Sequence, residues 1–487
     1  MPRDYFQVGR IKALAEVKPG AKVHVIGVCG VAMAQLAVLL AERGYQVSGS
    51  DKEFYEPMAG FLENSPVRLY RGYTAQNLAS DVELAVIGNA VSYGHPEVTA
   101  VEERRVPYSI FPKLLYELVL KNRQSVTVTG THGKTTTTAL IASILWRLGL
   151  NPGYFIGGVA NDFARSLVMG SSAISVVEGD EYDSAFFAKV PKFTFYQPDF
   201  LVITSIEFDH ADIYPDLESI KRQFDALVKS LRRGARVVAC YDDHNLAPLI
   251  DRWKSELPCK VISYGTGQGA DARITAVAQE KSGQKVTAEL PTAGQVSFNL
   301  PLMGVHNARN ALSALLVCFE LGLEISNVAR AMEQFGGVKR RQEVRYEGSV
   351  TLIEDFAHHP TAVRETIQAL RSRYTAGRLW AVFEPRSNTS RRRIFHKDYV
   401  QAFAGADRVV LCEVAPRAQD TGEELLDVRE LAGRIEAAGG AVALPNAVAI
   451  KEYILKEARP RDVFLVMSNG SFGGLVQMLE KEFKRWQ

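Results

Sequence analysis

SVTVTGTHGKTTTTAL, residues 125–140, reads as a strand, a tight turn and the opening of a helix. The turn ends in Gly133-Lys134-Thr135, as ATP- and GTP-binding loops do. The usual loop, G-x-x-x-x-G-K, would place a glycine at 128; Val128 stands there, and the upstream glycine is Gly130. Backbone N–H groups in a glycine turn at a helix N-terminus hold phosphates. Strand, turn, Gly-Lys-Thr and helix together favour that reading over a capping turn that happens to contain lysine. Lys134 then reaches the terminal phosphates and the Thr135 hydroxyl ligates Mg²⁺.

A hard cation also wants carboxylates. VVEGDEYD (176–183) leaves a strand end with Glu178, Asp180, Glu181 and Asp183. At least one of them is expected to face the metal; a solvated acidic turn is the plainer alternative. IEFDHAD (206–212) sets His210 between Asp209 and Asp212 after another strand, where ligands of parallel sheets gather. A metal or phosphate role for His210 stands beside a structural one.

Outward from the loop the rhythm is strand–helix–strand. Residues 23–26 form an apolar strand, 27–30 a G-x-x-G turn, 33–43 a helix closed by Gly44, and YQVSGSD a strand ending in Asp51. LAVIGNAV (84–91) is a third strand. Cys29 and Ala32 stand where a dinucleotide fingerprint wants glycines, which weakens NAD binding. A diphosphate on that helix N-terminus and a ribose or base on Asp51 are still compatible with it. Pro112 opens a new helix at a seam near residue 110. Residues 261–300 alternate like antiparallel strands, and HNARNALSALLVCFELGL is a helix. After Gly336-Gly337 come four more strand-led units. Asp355, His358 and His359 end one of them; Arg386, Ser387 and Asn388 end another. The Arg386 fork suits a carboxylate. Arg391, Arg392 and Arg393 are expected to be solvated, and Arg340 and Arg341 at the second seam to close on phosphates.

The bulk numbers agree with a multidomain enzyme. At 487 residues about three domains of roughly 150 residues are expected. Net charge is +2, with 57 basic and 55 acidic side chains, so a dedicated nucleic-acid binder has no support. Five scattered cysteines argue against a disulfide framework. No run approaches the ~20 apolar residues of a membrane span, and a cytoplasmic protein without a membrane partner is expected.

TGTHGKTT (129–136), EGDEYD (178–183), IEFDH (206–210), HNARN (306–310) and DFAHHP (355–360), in that order, resemble the Mur ligases. These enzymes use ATP to join amino acids or peptides to UDP-sugar precursors of bacterial peptidoglycan. Their loops carry the short T-G-T-x-G-K-T form. The resemblance implies an α/β fold of three domains. These are a Rossmann-like UDP-binding domain (1–110), a central P-loop ATPase-like domain with a largely parallel sheet (111–337) and a C-terminal Rossmann-like domain (338–487).

Within the family, GVCGVAM, FEPRSNTS and VMSNGSFGG are similar to the branch that attaches the tripeptide L-Ala-γ-D-Glu-meso-diaminopimelate to UDP-N-acetylmuramate during recycling. The branch that attaches L-alanine is the alternative, and a P-loop NTPase switch a distant one. Further roles follow by resemblance. Gly130, Thr131, His132, Gly133, Lys134, Thr135 and Thr136 would cradle ATP, with Asn307 and Asn310 facing adenine and His306 at the pocket's edge. Asp355 would take the ribose, and Arg341 the phosphates after closure. Thr135, Glu178 and His210 would hold metal ions. Gly27, Gly30 and Asp51 would serve the UDP-sugar, and Arg386, Ser387, Asn388 and Asn469 the peptide carboxylates. Several Mur ligases have a carbamylated lysine fifteen residues after the metal histidine; Asp225 stands there in this chain. The expected chemistry is amide formation through an acyl phosphate, with ATP and Mg²⁺ as cofactors.

Overall fold

Strand–helix alternation builds three large sheets in the computed structural model, which describes residues 5–280, 282–417, 420, 425–437 and 439–486. The first sheet is wholly parallel, in the order Arg68–Arg71, Gln46–Asp51, Lys22–Ile26, Leu84–Ile87, Tyr108–Ile110. Chain order reverses beside Lys22–Ile26, and at such a switch point the strand ends splay into a ligand crevice. The Gly27–Gly30 turn and the N-terminus of helix Val31–Glu42 lie there.

In the second sheet the loop strand, Gln124–Thr129, lies between Phe200–Ile203 and Ile174–Glu178, parallel to both. Arg236–Cys240 and Lys260–Gly265 continue one side; Gly153–Phe155 and Leu167–Val168 continue the other. The alternating stretch divides: Lys260–Gly265 joins the parallel strands, while Ala272–Glu280, Gly283–Leu290 and Gly294–Leu300 form an antiparallel meander.

The third sheet runs Glu343–Glu347, Thr351–Asp355, Val463–Met467, Leu379–Phe383, Arg408–Cys412, Ala441–Leu444, antiparallel only at its first edge. Side chains of Leu379–Phe383 alternate between two cores, Leu379, Ala381 and Phe383 on one face and Trp380 and Val382 on the other. Its two edge strands escape the sequence reading: Glu343–Glu347 is broken by charged residues, and Ala441–Leu444, though apolar, is only four residues long and half-buried.

By packing, the chain divides into two compact units. One runs to Ile206 and takes in Glu218–Tyr264 and Ser313–Ala331; the other comprises Glu207–Leu217, Gly265–Leu312 and the chain from Met332 on. Helix Phe111–Leu115 carries Pro112 in its first turn, as the sequence predicts for a helix opened by that proline. No helix among the described residues is long and apolar enough to cross a membrane.

Candidate active site

The unusual glycine spacing has a direct steric cause. Val128 lies inside the strand, fully buried and opposite Glu178, so no turn falls at that position. The turn begins at Gly130, whose φ is +125°. A Cβ there would stand 2.3 Å from the Thr204 hydroxyl oxygen and 2.8 Å from the Ser205 nitrogen. The loop is laced to that neighbouring strand end: Thr131 N–H donates to the Ser205 carbonyl and His132 N–H to its hydroxyl, each at 3.0 Å. Gly133, at φ +82°, turns the chain into helix Lys134–Arg147. Thr136, three residues beyond Gly133, is buried in that helix.

Lys134 heads the helix, and its ammonium donates to the Gly130 carbonyl at 2.6 Å and to both Glu181 oxygens at 2.9 and 3.1 Å. The Thr135 hydroxyl donates to Glu178 at 3.0 Å, and Gly157 N–H donates to its other oxygen at 2.8 Å. Glu178 faces the loop because its strand is the loop strand's immediate neighbour. Asp180 turns away onto buried Lys192, at 2.9 Å. Burial disfavours the Lys134 charge, but Glu181, Asp180 and Glu178 outweigh it and raise the pKa. Burial and then Asp180 push the Glu178 carboxyl up. Asp180 is held down, the lysines overcoming burial. Such a site concentrates negative charge beside a phosphate-type loop, and its oxygen donors suit a hard divalent cation.

At the first sheet's switch point, Gly27 adopts φ +79°, and its N–H and that of Val28 both donate to the Ser50 carbonyl at 2.9 Å. Gly30 is the N-cap of helix Val31–Glu42. The Asp51 carboxylate accepts from Cys29 N–H at 2.8 Å and from the Tyr73 hydroxyl at 3.0 Å. Asp51 therefore fixes the shape of the glycine turn.

The second unit gathers another set. His210 has φ +53°, the left-handed region, and its carbonyl accepts from Ile213 and Tyr214 N–H. Asp209 beside it is buried. That raises its pKa, yet the fields of His210, His358 and His359 prevail and hold the carboxyl far below the usual range. His359 lies 3.1 Å from Glu207, and its Nε2–H donates to the Phe208 carbonyl, 3.3 Å away. Asn307 and Asn310 are buried and linked at 3.3 Å, and Asn307 also donates to the Met303 carbonyl. His306 meets Gln342 at 3.3 Å. The Asp355 oxygens accept from the backbone N–H of Gln342 and Ala357, at 2.8 and 2.7 Å. Arg341 lies over the Phe356 ring, 4.8 Å from its centroid.

Strands Leu379–Phe383 and Val463–Met467 are neighbours, which brings Arg386 and Asn469 to one sheet end. Arg386 is exposed and its guanidinium lies over Gly470, where a Cβ would come within 2.2 Å of Nη1. The Asn469 side-chain oxygen is buried without a hydrogen-bond partner. Ser387 caps the next turn through Ser390, and Asn388 donates to Asp212 at 3.0 Å.

Two sequence expectations fail in this region. Arg391 is not solvated: it is 4% exposed and bonded to the Ala415 carbonyl and Asp420. Arg392 also donates to a backbone carbonyl, that of Ala211. Of the three only Arg393 is exposed, paired with Glu430. A charge run looks solvated in sequence, but one member here stitches a loop. Arg340 does not hang free for phosphates: it binds Glu354 at 2.8 Å and the carbonyls of Ser468 and Gly470, anchoring the turn on which Arg386 rests. Asp225 holds Lys229 and the Trp253 N–H, each at 2.8 Å, a role within its own helix neighbourhood.

Sequence reasoning missed Gly157, Lys192, Glu384 and Arg417. Arg417 donates to the Arg386 carbonyl at 2.9 Å, and Glu384 accepts from the Ser468 hydroxyl. Glu384 was visible as the residue leading Pro385-Arg386 out of a strand; nothing in the local pattern marks the other three.

Three family models match in succession: "Mur ligase family, catalytic domain" at residues 22–123, "Mur ligase middle domain" at 128–318, and "Mur ligase, glutamate ligase domain" at 340–470. The UDP-N-acetylmuramate–L-alanyl-γ-D-glutamyl-meso-2,6-diaminoheptandioate ligase of Escherichia coli K12 is 36% identical over 94% of this chain and 97% of its own. A UDP-N-acetylmuramate–L-alanine ligase of Acetivibrio thermocellus is 32% identical over 94% of this chain and 96% of its own. The crystal structure of a murein peptide ligase from Psychrobacter arcticus 273-4 superposes with a TM-score of 0.70 at 30% identity, covering 95% of this chain and 98% of that one. The chain belongs to the Mur ligase family, whose members are ATP-dependent, ADP-forming amide ligases.

Proposed function

We propose that this protein joins the tripeptide L-Ala-γ-D-Glu-meso-diaminopimelate to UDP-N-acetylmuramate in the cytoplasm, as a step of peptidoglycan recycling. The convergence of Lys134, Thr135 and Glu178 on one glycine loop carries the chemistry. The choice of tripeptide rests on relatives named for that reaction at 36% and 33% identity.

Amide formation from a free carboxylate is uphill, so the muramoyl carboxylate attacks the γ-phosphorus of ATP and ADP leaves. The alanyl amine then attacks the acyl phosphate, and phosphate leaves. Lys134 and the loop N–H groups at the helix N-terminus hold the phosphates and neutralise developing charge, while Thr131 and His132, tied to Ser205 through their N–H groups, fix the loop's shape. Thr135 and Glu178 would hold Mg²⁺, whose preference for oxygen donors they suit, and His210 would hold a second ion in its own unit. Bound there, Mg²⁺ draws charge off the phosphoryl oxygens.

Asn307, Asn310 and His306 face the adenine, Asp355 the ribose and Arg341 the phosphates. Gly27, Gly30 and Asp51 take the UDP-sugar. Arg386 and Asn469, flanked by Ser387 and Asn388, take the peptide carboxylates. The domains we assign to these duties are 1–110, 111–337 and 338–487.

Purified protein given UDP-N-acetylmuramate, ATP and Mg²⁺ is expected to release ADP in proportion to ligated product with the tripeptide, and far less with L-alanine. Equal or better use of L-alanine would move the chain to the other branch; no ADP-linked product with either would end the proposal.

Gly470→Ala tests the peptide end. The new methyl must displace the Arg386 guanidinium, the far end of a flexible side chain, so the fold should tolerate it. Losing a charge-assisted contact costs about 1.5–3 kcal/mol. The tripeptide KM should therefore rise about 10- to 100-fold in both Gly470→Ala and Arg386→Ala, with ATP affinity and melting temperature nearly unchanged. Wild-type KM in both variants would remove Arg386 from the peptide site.

A further inference from the structure

We propose that Glu97 is a positioning residue for the sugar nucleotide: from inside the first sheet's core it clamps the strand end from which the Gly27–Gly30 turn hangs. The inference goes beyond the UDP-sugar reading above and rests on it.

The successive N–H groups of that turn end on two residues of strand Gln46–Asp51. Gly27 and Val28 donate to the Ser50 carbonyl, each at 2.9 Å, and Cys29 donates to the Asp51 carboxylate at 2.8 Å. Val28 also lies against Gly49, where a Cβ would come within 2.7 Å of its side chain. No side chain caps helix Val31–Glu42, so its first-turn N–H groups are left for an anion. Where those donors point is therefore set by where Ser50 and Asp51 sit.

Glu97 is fully buried, in the first turn of helix Pro96–Glu103. A buried carboxylate is costly unless polar partners surround it. Here the Ser50 hydroxyl donates to it at 2.5 Å, the Asn77 amide at 2.6 Å, and His24 Nε2 lies 3.4 Å away. Burial pushes the carboxyl up, but His24, Ser50 and Asn77 prevail and hold it below its usual range. Asn77 extends the grip. Its amide also donates to the Gly72 carbonyl at 2.9 Å, and Gly72 N–H donates to the Asp51 carbonyl at 2.8 Å. Glu97 thus holds Ser50 directly and Asp51 by way of Asn77 and Gly72. An apolar side chain would be cheaper to bury at this place. What the carboxylate adds is a fixed position for the two residues that shape the turn.

The test is a double-mutant cycle on the full-length protein, read as UDP-N-acetylmuramate affinity by calorimetry. Glu97→Gln keeps the shape but has one acceptor oxygen instead of two, so its N–H₂ meets a group that now donates. It should weaken sugar-nucleotide binding about 10- to 100-fold. Ser50→Ala should weaken it in the same direction. The double variant should lose clearly less than the product of the two single effects, because both act through one contact. The ATP KM should stay near wild type throughout. Wild-type affinity in both single variants, or effects that simply multiply, would overturn the inference.

A second arm separates positioning from plain loss of stability. Hydrogen exchange read by mass spectrometry should quicken in Glu97→Gln over residues 27–33 and 46–51, while strand Leu84–Ile87 of the same sheet keeps its protection. Uniform loss of protection across the sheet, with sugar-nucleotide and ATP affinities falling together, would make Glu97 a stability residue and overturn the inference. If Glu97→Gln does not fold, Ser50→Ala carries both measurements: it removes one oxygen and leaves Asn77 and His24 on the carboxylate. Wild-type affinity and exchange in that variant would again overturn it. Wild type failing to bind UDP-N-acetylmuramate at all is a separate result, which would remove the sugar-site reading itself.

Discussion

Lys134→Ala is expected to stop ligation, lowering turnover by at least two to three orders of magnitude, while UDP-N-acetylmuramate still binds. The magnitude follows from the loss of one preorganised charge at a developing oxyanion in a water-poor site, about 3–4 kcal/mol. The neighbours enlarge it: Lys134 is the partner of both Glu181 oxygens, and its removal takes one of two buried lysines from the acidic turn, leaving Lys192 on Asp180. The proposed sugar site is built separately. Gly27, Gly30 and Asp51 lie at the switch point of a different sheet, and Asp51 is fixed by Cys29 and Tyr73. ADP release coupled to product and calorimetry with UDP-N-acetylmuramate read the two halves. More than a tenth of wild-type turnover would remove Lys134 from the chemistry. Loss of sugar binding as well would mean that the first domain does not bind on its own.

What could be read from the chain was whatever depends on short-range pattern. Apolar runs of four to six residues marked the central strands, because strands covered on both faces need no polar alternation. Glycine turns at strand ends marked where helices Val31–Glu42 and Lys134–Arg147 begin. Pairings that depend on fold topology stayed hidden. Lys192 is fourteen residues beyond Glu178 and looks like an ordinary charged residue, yet a hairpin of Asp183–Ala185 and Ala188–Pro191 returns it to Asp180. The same hairpin carries Phe186 and Phe187 onto Phe6 and Tyr108 of the first sheet's aromatic cluster, a contact no local motif announces. Arg391 misled for the mirror reason. Three consecutive arginines look solvated until the chain folds back and offers one of them Asp420 and a carbonyl. Gly470 is a third case: its need for glycine comes from the guanidinium of Arg386, which a sheet neighbour supplies.

Gly130→Ala should be nearly as damaging as loss of Lys134, and for a purely steric reason. At φ +125° an L side chain is strained, which costs of order 1–3 kcal/mol. The added carbon also meets the Thr204 hydroxyl at 2.3 Å and the Ser205 backbone at 2.8 and 2.9 Å, and backbone cannot swing aside as a side-chain tip can. Overpacking of this kind adds about 1–3 kcal/mol, so ~3 kcal/mol of stability or more should be lost. The relief the chain can find is to peel the loop from Ser205, breaking the bonds from Thr131 and His132 that shape the phosphate cradle. The melting temperature and ATP affinity should therefore fall together, the latter by at least about a hundredfold. Val128→Gly, which would restore the usual spacing, should rescue nothing. Val128 is fully buried in the strand beside Glu178, and the change removes core volume without adding a turn. A Gly130→Ala protein that melts and binds ATP like wild type would show that the short spacing is not set by the Thr204–Ser205 strand end.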